Sequence, residues 1–491
     1  MLSLTVLLPV VAAVVLALAP VPVAVARWLW VGTTAADLVL LAVAALLARP
    51  DSNGLLLEER VIWAPSAGTS YHVGVDGLSL PLLLLSDVLF LACAVWALRD
   101  DERPRQQAAL FLFLQTTCLG LFAAQDLLVF FLFFDLSIVG MYFVITGWGH
   151  GERRRSALTF FVYTFVGSLA LLLGFIGLYL GSEPHTFDIV ELTRNGVPNL
   201  GSVGAAVVLA AIFLGLAIKT PTVPFHTWLP PAHTDAPAIG SAILAGVLLK
   251  MGTYGFVRIA MPVLPDTWRA FAVPVLVIGI VSVLYGAFVA MAQHDLKRLI
   301  AYTSVNHMGY ILVAVGAAGL TGSAEAKRLA VVGAVTQMVS HGLITGTLFL
   351  LAGVLLERRG TYAMDRFGGL AGPAPRYAAL FAVAVFGSLG LPALSGFIAE
   401  FQIFTGAIGA TGWAAAALPG IVLMAALLLI AYQRLFTGDR ADTAAFPDLP
   451  ARQTGAAAGL LALSLFIGLV PAPLLTLVGP AAGAVVARLG G

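Results

Sequence analysis

The sequence predicts an all-α polytopic membrane protein of about fourteen transmembrane helices, with two inverted five-helix repeats that each contain one broken helix. Three observations lead there. Of 491 residues, 60% are hydrophobic and only 10% are charged, whereas a soluble domain carries about 25% charged residues. The hydrophobic residues collect in runs of about 20, the length that crosses a bilayer as a helix. Two of those runs, five spans apart, are interrupted by proline and glycine.

The first run, 2–25, is longer than the apolar core of a secretory signal and lacks its basic flank. It is therefore expected to be retained as span one. Further spans are expected near 28–48, 77–98, 106–124, 127–147, 158–181, 203–230, 238–262, 269–292, 297–318, 327–356, 376–408, 412–436 and 455–478. The longest apolar-poor stretch is 49–76, where 55–63 and 70–74 suit two short strands on the outer surface. Alternate connections carry 16 and 8 Lys or Arg residues, with Lys297 and Arg440 counted on the richer side. The positive-inside rule makes that side cytoplasmic, and both termini then face out. The expected divisions are 1–105 (spans one to three with an outer loop), 106–262 (first repeat), 269–436 (second repeat) and 437–491 (span fourteen).

Span seven breaks where Pro221 and Pro224 follow Lys219. Neither proline has an amide hydrogen, and each ring crowds the carbonyl four residues earlier. Backbone freed in this way is tolerated at membrane depth only inside protein or along a wet cavity. The expectation is that these carbonyls hold water beside Lys219. Span twelve breaks around Pro392, within 390–396, shortly before Glu400. Five is an odd number, so the second copy of the repeat would be inverted. Paired broken helices in inverted repeats point to an ion path.

Four charges stay at membrane depth once loop charges are removed: Asp135, Lys219, Lys250 and Glu400. Intramembrane ionisable residues are costly and commonly mark proton or ion routes. The plainer alternative is two structural ion pairs. Asp37 and Asp87 have no evident basic partner and are expected at helix ends or subunit contacts. Histidine titrates nearest neutral pH. His226 and His233 flank the turn after the first break, while His294 suits a surface helix end. His307 shares a helix face with Ser304, and His341 with Gln337. Net charge is +1 and the two cysteines, Cys93 and Cys118, form no CxxC. No glycine-rich dinucleotide fingerprint is present either. Nucleic-acid binding, a nucleotide pocket and a redox centre in this chain thus find no support.

Long ordered motifs resemble the antiporter-like subunits of respiratory complex I, the proton-translocating NADH:quinone oxidoreductase. They are 219–233, Asp235-Ala-Pro237, Leu248-Leu-Lys250, 295–309, 337–342, Gly390-Leu-Pro392 with Glu400-Phe401, and 74–81. Within that family the subunit M branch is most similar, because an acid occupies the span-twelve position where subunits L and N carry lysine. The residues after span fourteen are also expected to be too few for the long lateral helix of subunit L. The resemblance implies that Asp135, Lys219, Lys250 and Glu400 form the proton channel. The supporting path would use His226, His307, His341, Ser304 and Gln337, with Glu400 as the outlet toward the outer side. It implies neighbouring subunits L and N, and FMN, iron–sulfur clusters and quinone in partner subunits with none in this chain. The family usually has glutamate where Asp135 stands, so the carboxylate here is one methylene shorter. An Asp135–Lys219 pair would be the switch. Unit charges about 4 Å apart at an effective dielectric of ~20 attract by roughly 4 kcal/mol, and by half that at ~8 Å. Alternatives are a multisubunit sodium/proton antiporter, a membrane-bound hydrogenase or formate hydrogenlyase, and an anchor that conducts nothing.

Overall fold

The structure is a computed structural model that describes residues 1–49, 54–99, 102–438 and 446–490. Arg440, counted among the cytoplasmic charges, lies outside the described residues. Helices α1 (Leu2–Leu18) and α2 (Val23–Leu47) come first. Strands β1 (Leu56–Ala64) and β2 (Thr69–Val75) then pair antiparallel, with Arg60 opposite His72. These are the two short strands expected in 49–76. Helices α3 (Leu80–Trp96), α4 (Pro104–Ala123), α5 (Leu127–Trp148) and α6 (Arg153–Gly181) follow, then the short α7 (Ile189–Asn195).

The first broken span is α8 (Ser202–Lys219) and α9 (Leu229–Asp235). Next come α10 (Ala238–Val263), α11 (Pro265–Met291), α12 (Leu296–Ala318) and α13 (Ala324–Arg359). The second broken span is α14 (Pro375–Ser388) and α15 (Ser395–Ala410), followed by α16 (Leu418–Phe436), α17 (Ala451–Leu469) and α18 (Ala472–Arg488). Among the described residues, eleven helices are long and apolar enough to cross a membrane.

Local chemistry sets many of these ends. Asp126 accepts from the amides of Leu128 and Val129 and so starts α5. Asp295 caps α12 through the Arg298 amide and Ser323 caps α13 through the Ala326 amide. Such caps satisfy orphan amides at the helix start. At its other end α13 stops at Gly360, whose φ of +69° suits glycine. One expectation fails at the C-terminal end. The apolar run expected to form span fourteen over 455–478 is two helices, because Pro471 and Pro473 lack the amides that would continue α17. Helix α18 lies against the hairpin side instead, where the Leu477 carbonyl abuts Gly77.

Burial defines the core. In α10 and α12, 94% of the apolar window is buried, and in α13 it is 89%. The corresponding figure for α2 and α17 is 33%, which leaves a lipid-facing shell. Helices α11 and α12 meet backbone to backbone at Gly279, Gly286, Gly309 and Gly316. A Cβ on any of the four would lie 2.7 Å from a backbone nitrogen of the other helix. Small residues permit this approach where no hydrophobic effect drives helices together in lipid.

Candidate functional site

The first break runs from Thr220 to Trp228. Two of the carbonyls at the break are taken by protein donors rather than left for water. The Trp228 indole donates to Ile218 O at 2.9 Å, and the Thr222 amide donates to Ala217 O at 3.1 Å. Lys219 is fully buried beside this knot. Its Nζ donates to Ser137 Oγ at 3.0 Å and sits 4.7 Å from the centre of the Phe134 ring. Ser137 gives its own hydrogen to Phe134 O at 2.6 Å, so its oxygen is left to accept from the lysine. Asp135 and Lys219, the pair expected to form the switch, are not in direct contact, a point the sequence left open. Asp135 is half-buried, faces Ser168 of α6 and keeps one oxygen without a partner. Residues 135 and 137 fall on nearly opposite sides of a helix, so α5 turns the serine to Lys219 and the carboxylate away.

The second cluster sits in the core. Helix α10 contains two π turns, Leu244–Leu248 and Phe256–Ala260. Such turns loosen the helix ladder and recur at functional sites. Lys250, fully buried, donates to Ala245 O within the first of them and lies 2.6 Å from His341 Nδ1 on α13. The rings of His341 and His307 cross at 72° with centres 5.3 Å apart. His307 Nε2 on α12 is 3.9 Å from Glu400 Oε1 on α15. His341 Nε2 and His307 Nδ1 have no hydrogen-bond partner.

A cavity of about 10 Å³ touches His307, Gln337, His341 and Glu400. That is close to the space one water needs. The Glu400 carboxylate rests on Gly390, where a Cβ would lie 2.5 Å from Oε2. Pro392 belongs to that connection. Glu400 is the sixth residue of α15, beyond its first turn.

Other expected participants lie elsewhere. Ser304 donates along its own helix to Ile300 O at 3.3 Å and does not line the cavity. His226 packs edge-on to Tyr285, 5.0 Å between centres, rather than on Lys219. Asp37 and Asp87 are neither helix ends nor surface contacts. Both are fully buried, and Gln115 Nε2 donates to them at 3.3 and 2.8 Å.

Sequence reasoning missed three groups. Ser137 was passed over beside a carboxylate. Thr220 Oγ1 is a buried hydroxyl without a partner, facing Gly252 of α10. Lys297, counted as a loop charge, is fully buried.

The chemistry available is proton movement between nitrogen and oxygen atoms a few ångströms apart, with one water-sized gap. The two cysteines are buried on separate helices, α3 and α4.

Comparison with known proteins bears on this arrangement. The profile of a family described as "NADH:quinone oxidoreductase/Mrp antiporter, TM" matches residues 124–427. NADH-quinone oxidoreductase subunit M of Rickettsia prowazekii is 38% identical over 426 residues, covering 86% of this chain and 84% of the relative. Among solved structures, a chain of respiratory complex I from Thermus thermophilus with bound NADH matches with a TM-score of 0.90 and 33% identity, over all of both chains. A chain of the Mrp complex from Dietzia matches with a TM-score of 0.86 at 22% identity, covering 100% of this chain and 99% of that one.

Proposed function

The chain belongs to the transmembrane family shared by NADH:quinone oxidoreductases and Mrp antiporters, and on that premise we propose that it moves protons as a subunit M-type membrane component of an NADH:quinone oxidoreductase. The observation that carries this reading is the buried file Lys250–His341–His307–Glu400, whose first three members stand on the most enclosed helices. Intramembrane groups of this kind mark proton routes. A proton on Lys250 passes to His341 Nδ1. His341 Nε2 then releases it across the water-sized cavity toward Glu400, with His307 alongside. Lys219 is the matching station in the first half, held by Ser137, with Asp135 acting on it through space.

In this reading fourteen spans include the short α1 and α3 and the pair α14–α15. The two broken spans belong to inverted five-helix repeats. The connections rich in Lys and Arg face the cytoplasm, and both termini face out across a bacterial inner membrane. The partners are other membrane subunits, with L and N as the neighbours. FMN, iron–sulfur clusters and quinone are carried by partner subunits, since two separated thiols fall short of the four that a cluster takes. The chain is then a non-redox part of an oxidoreductase.

Purification of the native assembly and its reconstitution in vesicles tests this. NADH should drive acidification without added sodium, and Lys219→Ala should abolish most of it at matched assembly. A sodium-dependent exchanger that lacks NADH-oxidising partners would establish the antiporter alternative instead.

A further inference from the structure

Lys297 is the second residue of α12, beside the positive end of that helix, where a basic side chain is unfavourable. It is nevertheless fully buried. Its Nζ donates to Ala236 O, 2.5 Å away at the end of α9, and lies 5.1 Å from the centre of the Tyr362 ring. The carboxylates that act on it are Asp295 and Asp235. Among the described residues neither forms an ion pair with it. Asp295 is engaged by the Arg298 amide at 2.8 Å, and Asp235 accepts from Ser156 Oγ at 2.5 Å. A buried charge left unpaired costs several kcal/mol, so a purely structural cap on one carbonyl is a poor reason for an ammonium here. The protonated and the neutral amine can both donate to Ala236 O. The site can therefore gain or lose a proton without losing that bond.

Titratable groups continue on both sides. Toward the surface, Asp235 is half-buried, and its carbonyl accepts from the His150 amide at 2.8 Å. The His150 ring lies 5.5 Å from Tyr362, and its Nε2 has no partner. Toward the core, His233 of α9 is fully buried and stacked 4.3 Å from Phe349. Both its ring nitrogens lack partners, and it lies within electrostatic reach of Lys297 and of Lys250.

We propose that Lys297 is a proton-uptake station on the cytoplasmic side, which takes protons arriving through Asp235 and His150 and hands them to His233 and then Lys250. Each transfer moves one proton, and Lys297 returns to its starting form when the next one arrives. The inference rests on the Lys250-to-Glu400 path.

The test uses the assembled complex in vesicles, at matched assembly, with Lys297→Gln, Lys297→Arg and Lys250→Ala in parallel. Arginine keeps the charge and a donor but does not release its proton. Both Lys297 variants should lose about fivefold or more of pumping near pH 8, within the range positioned acid–base groups contribute. The Lys297→Gln deficit should narrow as pH falls, because the higher proton concentration in solution then partly replaces the missing uptake group. Normal pumping by Lys297→Arg, or a pH-independent deficit in Lys297→Gln, would make the lysine structural and overturn the proposal. Normal pumping by Lys250→Ala would instead overturn the path itself.

Discussion

An ammonium has three hydrogens to place, and Lys219 places one on Ser137 while the Phe134 ring covers another side. This leaves the lysine poised rather than locked, since a hydroxyl and a ring hold it less firmly than a contacting carboxylate would. In the proposed path Ser137→Ala should slow pumping several-fold and Ser137→Thr should restore it. Asp135 acts at longer range, where the Coulomb attraction is about 2 kcal/mol at ~8 Å. Asp135→Asn should then lower pumping by about tenfold or more, with Asp135→Glu close to normal. If the Asn and Glu variants pump alike, Asp135 is a packing residue and exerts no control over Lys219. Proton pumping per NADH oxidised, in vesicles of matched assembly, reads both pairs. Lys219 and its prolines were legible in the sequence because proline acts on its own helix. Ser137 was not, because which side of α5 meets α8 is decided by packing. Lys297 was hidden by its neighbours: Asp295 and Arg298 look like a loop, and nothing local shows that α9 closes over the lysine between them.

At the scale of elements, His72 is one of the residues that tie the β1–β2 hairpin to the helices. His72 of β2 bonds Asp188 through Nδ1 and Glu58 through Nε2, both at 2.7 Å. Burial pushes its pKa down, but hydrogen bonds and charge from Asp188 and then Glu58 push it up further, so it ends above the ordinary histidine value. The folded form therefore favours the protonated ring. This contribution to stability is fully present below about pH 6.5, the ordinary value, and is lost as pH rises through the raised folded value. Protection of the amides of 56–75, after correction for the intrinsic rise of exchange rate with pH, should accordingly be higher near pH 6 than near pH 8.5, and His72→Gln should remove that difference. Equal pH dependence in the variant would refute the fastening. The strands themselves were legible as a stretch too polar to span, with Pro65 and Gly68 marking a turn between its two halves. The end of α17 was misjudged because hydropathy stays high through 455–478 while the prolines, not the apolarity, set the boundary.

Across the whole molecule, the buried charges follow the buried helices. Lys250, His307, His341 and Glu400 come from four separate elements, and the sequence named each without showing that they meet. The fold class was readable from composition and run length, because a bilayer imposes one helix length on every span. Meetings across helices, such as Asp37 with Asp87 through Gln115, needed three dimensions. The central claim is that protons leave through Glu400, the last member of that file. The direct measurement is the number of protons pumped per NADH oxidised by the reconstituted complex carrying Glu400→Gln, which keeps the shape and removes the titrating group. The account predicts that the ratio falls well below the unsubstituted value at matched assembly. An unchanged ratio across pH would contradict it and take Glu400 off the path.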